Sequence, residues 1–266
     1  HLGVRRGAIY PGADDNASSV AMMLETARLM SQLPRHPRRS IAFVGFDLEE
    51  QLLYGSRWFA AHPPFPLQRI KLMVTADLIG RSLGDLPLPM VFMFGSEYCP
   101  QLREHVAEVG LPNGLELGRL SADFIGTRSD YGPFRDQRIP FLFFSTGEHP
   151  DYHTPRDLPD RIDAFKLAGI SSVIAQTILA VADDPAPPVW NGHPDPDLAS
   201  AVTMERVTEV MLAEDQAGRQ PLSPAVRLVA EQTLSRTRYL RERGNISDVE
   251  QTWLRRSAQF LLFSAF

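Results

Sequence analysis

The stretch "IPFLFFSTGEHPDYHTPRD", residues 139–157, sets the reading of the whole chain. It opens on an apolar run, 139–145, and then turns into a loop crowded with acids and histidines. A continuous rather than alternating apolar run suits a strand buried on both faces of a mainly parallel sheet. Three more runs share that character: "SIAFVGF" (40–46), "KLMVTA" (71–76) and "PMVFMF" (89–94). Helical patterns fall between them, over 17–33, 52–61, 99–109 and 161–182. Strands alternating with helices predict an α/β fold, with a mixed, mainly parallel central sheet and helices on both faces.

Working outward, the composition shifts at 183–197, "DDPAPPVWNGHPDPD", where five prolines read as a linker. Beyond it, 198–217, 223–243 and 247–263 carry three amphipathic helical patterns. The expected organisation is a catalytic domain over 1–183, a Pro-rich linker over 184–197 and a helical C-terminal appendage over 198–266. Residues 197–266 hold nine Arg and nine Asp/Glu, so the net charge of −5 sits in the first part. Those arginines read as solvated or paired along helix faces. The apolar side chains of 260–263 and Phe266 read as packing the last helix onto the body.

The acidic balance, with a pI near 5.8, argues against a nucleic-acid or anionic-membrane surface. No run approaches the length of a membrane-crossing helix. A single cysteine, Cys99, excludes an internal disulfide and a cysteine-based zinc cluster. The chain opens on His1 rather than Met and reads as a fragment or a processed product, with any targeting segment upstream.

The residues just beyond each apolar run carry the chemistry. Run 40–46 leads into "DLEE", run 71–76 into Asp77, and run 139–145 into the loop holding His153. In open α/β sheets ligands bind beyond the carboxyl ends of the strands, so these groups converge on one crevice. Asp14, Asp15 and Asn16 in "PGADDNASSVAMMLETARLM" (11–30) join them if a strand precedes that loop. Helix capping needs only one such residue, and here there are three. Crowded carboxylates repel unless a cation compensates, and mixed carboxylate and imidazole ligands suit zinc. In extended backbone the neighbours Glu49 and Glu50 point opposite ways. One can hold a metal while the other takes a proton from water, which is the division of labour metal-assisted hydrolysis needs.

"PGADDNASSVAMMLETA", "SIAFVGFDLEEQLLYGS", "ADLIG", "SDYGPF" and "YHTPRD" together resemble the family of two-zinc aminopeptidases that also includes glutamate carboxypeptidase. The motifs occur in the family's order across 1–183. The resemblance implies the phosphorylase/hydrolase-like fold of zinc exopeptidases, a peptide substrate, and two zinc ions in the full-length protein, with one site incomplete in this chain. It implies Asp15 as the metal-bridging aspartate, Glu49 as general base, and Glu50, Asp77 and His153 as zinc ligands. It also favours a periplasmic or secreted setting. Asp151 and Asp157 flank His153, and either can orient its ring; Asp157 can equally cap the helix near 161. Ser129–Asp130 reads as the cap of a short helix. Tyr131 stands where many relatives carry His, and with Asp130 is a candidate on the substrate side.

The family's first motif is His-x-Asp. Here "HLG" matches the end of the longer His-x-Asp-His-Leu-Gly form, so His1 resembles the second histidine, with the ligand upstream. The other reading makes His1 itself the ligand, although Gly3 stands where Asp is expected. A glutaminyl cyclase-like acyltransferase is the alternative enzyme, since its single-zinc set resembles Asp15, Glu50 and His153. A non-catalytic peptide-binding homologue is the third reading, and an intact Glu49 argues against it. His36, His62, His105 and His193 match no motif and read as surface residues. Cys99 reads as an inert, partly buried thiol.

Overall fold

The computed structural model describes residues 2–5, 7–192 and 197–265, the last with side chains through Leu262. His1, His193 and the side chains of Phe263 and Phe266 lie outside the described residues. The chain begins with an antiparallel hairpin, β1 (Gly3–Arg5) and β2 (Ala8–Tyr10). It then turns through Ala13–Ala17 into helix α1 (Ser18–Ser31). Ser18, Met22, Thr26 and Met30 bury one stripe of α1 at four-residue spacing, as an amphipathic helix on a sheet requires.

The central sheet has four strands: β3 (Met73–Ala76), β4 (Met90–Phe94), β5 (Glu116–Arg119) and β6 (Phe141–Ser145). Their order is β3-β6-β4-β5. β3 runs parallel to β6 and β4 parallel to β5, while β4 and β6 are antiparallel, so the sheet is mixed. Alternation along the strands sorts two cores. Val91, Met93, Leu142 and Phe144 face Leu102 and Val106 of α3 (Pro100–Glu108) and Ile170 and Ile174 of α5 (Ala164–Asp183). Phe92, Phe94, Phe141 and Phe143 face the other way.

The C-terminal segment covers that second face. Ala201, Met204, Val207 and Met211 of α6 (Leu198–Gln216) share a core with these phenylalanines. Leu240 of α7 (Pro224–Arg243) and Leu254 and Leu261 of α8 (Asp248–Ala265) belong to the same core. Thr203 donates to the Arg119 carbonyl, Arg206 pairs with Glu116, and Gln259 donates to the Phe124 carbonyl. The helices after the linker are therefore one of the two helical layers that the sheet needs.

Local chemistry fixes the helix ends. Asp163 accepts from the amides of Phe165 and Lys166 at the start of α5, and Asp197 caps α6. Ser247 and Glu250 bond reciprocally at the start of α8, as a capping box does. α5 is long and apolar enough to cross a membrane by length and composition, but here Ile170, Val173, Ile174 and Val181 bury one stripe of it. Cys99 is fully buried at the cap of α3, and His105 is half-buried with Nε2 3.0 Å from Asp184, not a surface residue.

Residues 40–46 depart from expectation. Among the described residues they form no strand, and most of them are partly or fully exposed. Ile41–Phe46 and Met73–Ala76 both line one cleft of about 1280 Å³, and the run makes no ladder with β3. An apolar run becomes a strand only where a second backbone is within hydrogen-bond reach.

Candidate metal centre

Three separate loops bring the expected residues together. Asp15 follows the β2 turn, Glu50 precedes α2 (Tyr54–Ala61), and His153 lies in the loop after β6. One ligand atom from each falls within 4.8 Å of the others. His153 Nε2 stands 3.0 Å from Glu50 Oε1 and 3.2 Å from Asp15 Oδ2. The His153 ring is stacked on Tyr152, with centroids 3.7 Å apart. Two carboxylate oxygens and one imidazole nitrogen from three directions form a donor set that fits zinc, with a position left for water or substrate.

Asp77 lies outside that trio but next to it. Burial first, and then the charges of Asp15 and Glu49, push its carboxyl well above the ordinary range. Ser129 donates to Asp77 Oδ2 at 3.2 Å, while Oδ1 is buried without a hydrogen-bond partner among the described residues. An orphaned carboxylate oxygen facing two more acids suits a second cation. Glu49 sits beside Glu50 and is felt by Asp77, so it faces the same space.

Hydrogen bonds tie the loops to one another. Asp157 accepts from the amides of Asp14 and Asp15 at 2.9 and 3.0 Å, which joins the Asp15 turn to the His153 loop. The side chain that caps α5 is Asp163 rather than Asp157. Asp14 Oδ1 accepts the Gly80 amide at 2.6 Å, joining the same turn to the Asp77 loop. Burial pushes the Asp14 carboxyl up to about 6. A Cβ on Gly80 would stand 2.9 Å from that oxygen, so only glycine permits the approach. The Thr146 amide and hydroxyl both donate to the Leu78 carbonyl at 2.7 Å, linking the Asp77 and His153 loops.

The flanking candidates resolve differently. Asp151 accepts hydrogen bonds from Arg81 and Arg156. Asp130 lines the cleft with Asp77, and burial raises its carboxyl despite a hydrogen bond from Ser56. It does not cap α4 (Gly132–Asp136), which starts without a side-chain cap. Tyr131 is fully buried; its hydroxyl donates to the Gly126 carbonyl and its ring stacks on Phe141. It belongs to the core rather than to the substrate side.

Two features escaped sequence reasoning. Left-handed backbone occurs at Leu48, Leu78 and His153, beside Glu49, beside Asp77 and at a ligand itself. Such conformations cost about 1–3 kcal/mol each in residues other than glycine and gather at functional sites. No residue type announces them. The second is His149, fully buried against Asp14; its only signal was its place in the loop after β6.

Comparison with known proteins bears on this arrangement. A sequence profile of peptidase family M28 matches residues 1–178. Aminopeptidase YwaD of Bacillus subtilis is 26% identical over 178 residues, covering 63% of this chain and 37% of its own. A glutaminyl-peptide cyclotransferase of Gloydius blomhoffii is 27% identical over 209 residues, covering 65% and 56%. The solved aminopeptidase from Aneurinibacillus sp. strain AM-1 superposes with a TM-score of 0.55 at 28% identity, over 73% of this chain and 44% of that one. The chain thus spans between about a third and little more than half of these relatives.

Proposed function

This chain belongs to peptidase family M28, and on that premise we propose that it is a zinc-dependent exopeptidase that removes amino-terminal residues from peptides. The observation that carries this reading is the convergence of Asp15, Glu50 and His153 within 4.8 Å, with Glu49 and Asp77 at its edge. Asp15, Glu50 and His153 are the residues that would hold one zinc ion, and Asp77 with Asp15 would serve a second. Zinc bound there supplies a Lewis acid that polarises a carbonyl and makes water a nucleophile near neutral pH. Glu49 takes the proton of the attacking water and passes it to the leaving amine. Asp14, Asp157 and Gly80 keep the ligand loops in register while this happens. An extracytoplasmic setting is part of this reading and rests on family resemblance.

The test is hydrolysis of aminoacyl-p-nitroanilides by the zinc-supplemented chain. Release of nitroaniline that disappears in Glu49→Gln is expected; no release from any aminoacyl group contradicts the reading. A second reading has its own support. The trio Asp15, Glu50 and His153 is sufficient for a single-zinc acyltransferase, and the relatives include a glutaminyl-peptide cyclotransferase. Ammonia released from peptides with amino-terminal glutamine, without nitroaniline release, would select it.

A further inference from the structure

Behind the ligand loops lies a buried pair that this chemistry does not use. The side chains of His149 and Asp14 are fully buried, with His149 Nε2 3.5 Å from Asp14 Oδ2. Neither ring nitrogen of His149 nor Asp14 Oδ2 has a hydrogen-bond partner among the described residues. Buried polar atoms are nearly always paired, because an orphan gives up its hydration for nothing. Here two orphans face each other across a gap only a few tenths of an ångström longer than an ordinary N–H···O bond.

We propose that His149 is a positioning residue: by donating from Nε2 to Asp14 Oδ2 it fixes the turn that carries Asp15, and thereby sets how tightly Asp15, Glu50 and His153 hold zinc. The inference rests on the metal site proposed above. The geometry gives Asp14 a task on each oxygen, Gly80 on one and His149 on the other. Its backbone is held as well: its amide by Asp157, and its carbonyl by the Ser18 hydroxyl at 2.8 Å. Asp15 is the next residue, so a rotation of Asp14 carries the ligand with it. His149 is not itself in the group of ligand atoms. Burial first, and then the charge of Arg81, disfavour a charged ring, which leaves a neutral imidazole with one N–H to give.

The test is the zinc affinity of the 266-residue chain, read by competition with a chromophoric chelator, with melting of the zinc-free protein alongside. His149→Gln keeps an N–H donor at similar reach, and His149→Met keeps the bulk without a donor. Groups bonded directly to a metal ligand typically contribute about 10–100-fold to metal affinity, and His149 acts one residue further out. The Met variant should therefore bind zinc roughly 10-fold more weakly, at the low end of that range. The Gln variant should retain most of the affinity and melt with the parent, while the Met variant, which leaves Asp14 Oδ2 buried without a donor, should melt lower. A Met variant that binds zinc like the parent overturns the proposal. So does an equal loss of affinity and melting temperature in both variants, which would make His149 packing alone. If His149→Met does not fold, His149→Asn decides. Its donor is too short to reach Asp14, so weakened zinc binding is expected and unchanged binding contradicts. A parent chain that binds zinc yet cleaves no peptide defeats the proposed activity and leaves this inference standing; a parent that binds no zinc defeats both.

Discussion

Asp14 and Asp15 are anchored from two sides, by Asp157 beneath their amides and by Gly80 on the Asp14 carboxylate. Asp157→Ala leaves two amides without their acceptor, at about 1–3 kcal/mol for each that stays buried. Urea unfolding should show that loss, and chelator competition a weaker zinc site. Gly80→Ala forces a Cβ to 2.9 Å from Asp14 Oδ1 and 2.8 Å from Ile162 Cδ1, an overpacking of about 1–3 kcal/mol. It should lower stability and zinc affinity together; an alanine that does neither would show the loops to be uncoupled. Glu49→Gln should instead keep the metal and lower hydrolysis by about a hundred- to ten-thousand-fold, since it removes a base and no ligand. Loss of zinc in Glu49→Gln but not in Glu50→Gln would exchange their roles. The convergence of Asp15, Glu50 and His153 was legible as acids and a histidine gathered in separate loops, although only Asp77 and His153 follow strands of the central sheet. Their supports were not. Asp157 reads from sequence as a cap or a ring orienter, and only the folded loop shows it beneath two backbone amides.

Helices were legible almost to their ends, because the patterning of α1, α5, α6, α7 and α8 is a local signal. Strands were less so, because a strand needs a partner the sequence does not display. Residues 40–46 carry a strand's composition without one. β5, "ELGR", has two charged residues and a glycine, yet pairs with β4 in register from Met90↔Glu116. The junction of α7 and α8 offers a pH-dependent test. Hydrogen bonds from Arg243 and Ser247 pull the Glu250 carboxyl from 4.5 down to about 2. A depressed acid contributes stability above its unfolded pKa and loses it as pH falls through its folded one. Glu250→Gln should therefore lower the melting temperature at neutral pH, with the gap to the parent narrowing from pH 4.5 towards 2. A gap that stays constant as the pH is lowered would show that Glu250 acts as a neutral cap.

Taken whole, the molecule is a sheet clad by α1, α3 and α5 on one face and by α6, α7 and α8 on the other. The linker prolines set the last segment apart in the sequence, and its helices pack on the phenylalanine face, with Phe92 and Phe94 on one side of the sheet and Val91 and Met93 on the other. Truncation after residue 183 should uncover Phe92, Phe94 and Phe143. The shortened chain should bind a hydrophobic dye, melt many degrees lower or fail to fold, because each large buried apolar side chain contributes about 1.5–3 kcal/mol. An unchanged melting temperature would mean that the layers are independent. The central claim, that Asp15, Glu50 and His153 hold zinc while Glu49 does not, is tested most directly by elemental zinc analysis after exhaustive dialysis. The account predicts about one tightly held zinc per chain, retained in Glu49→Gln and lost in both Glu50→Gln and His153→Ala. Zinc retained in the two ligand variants, or lost from Glu49→Gln, would contradict it.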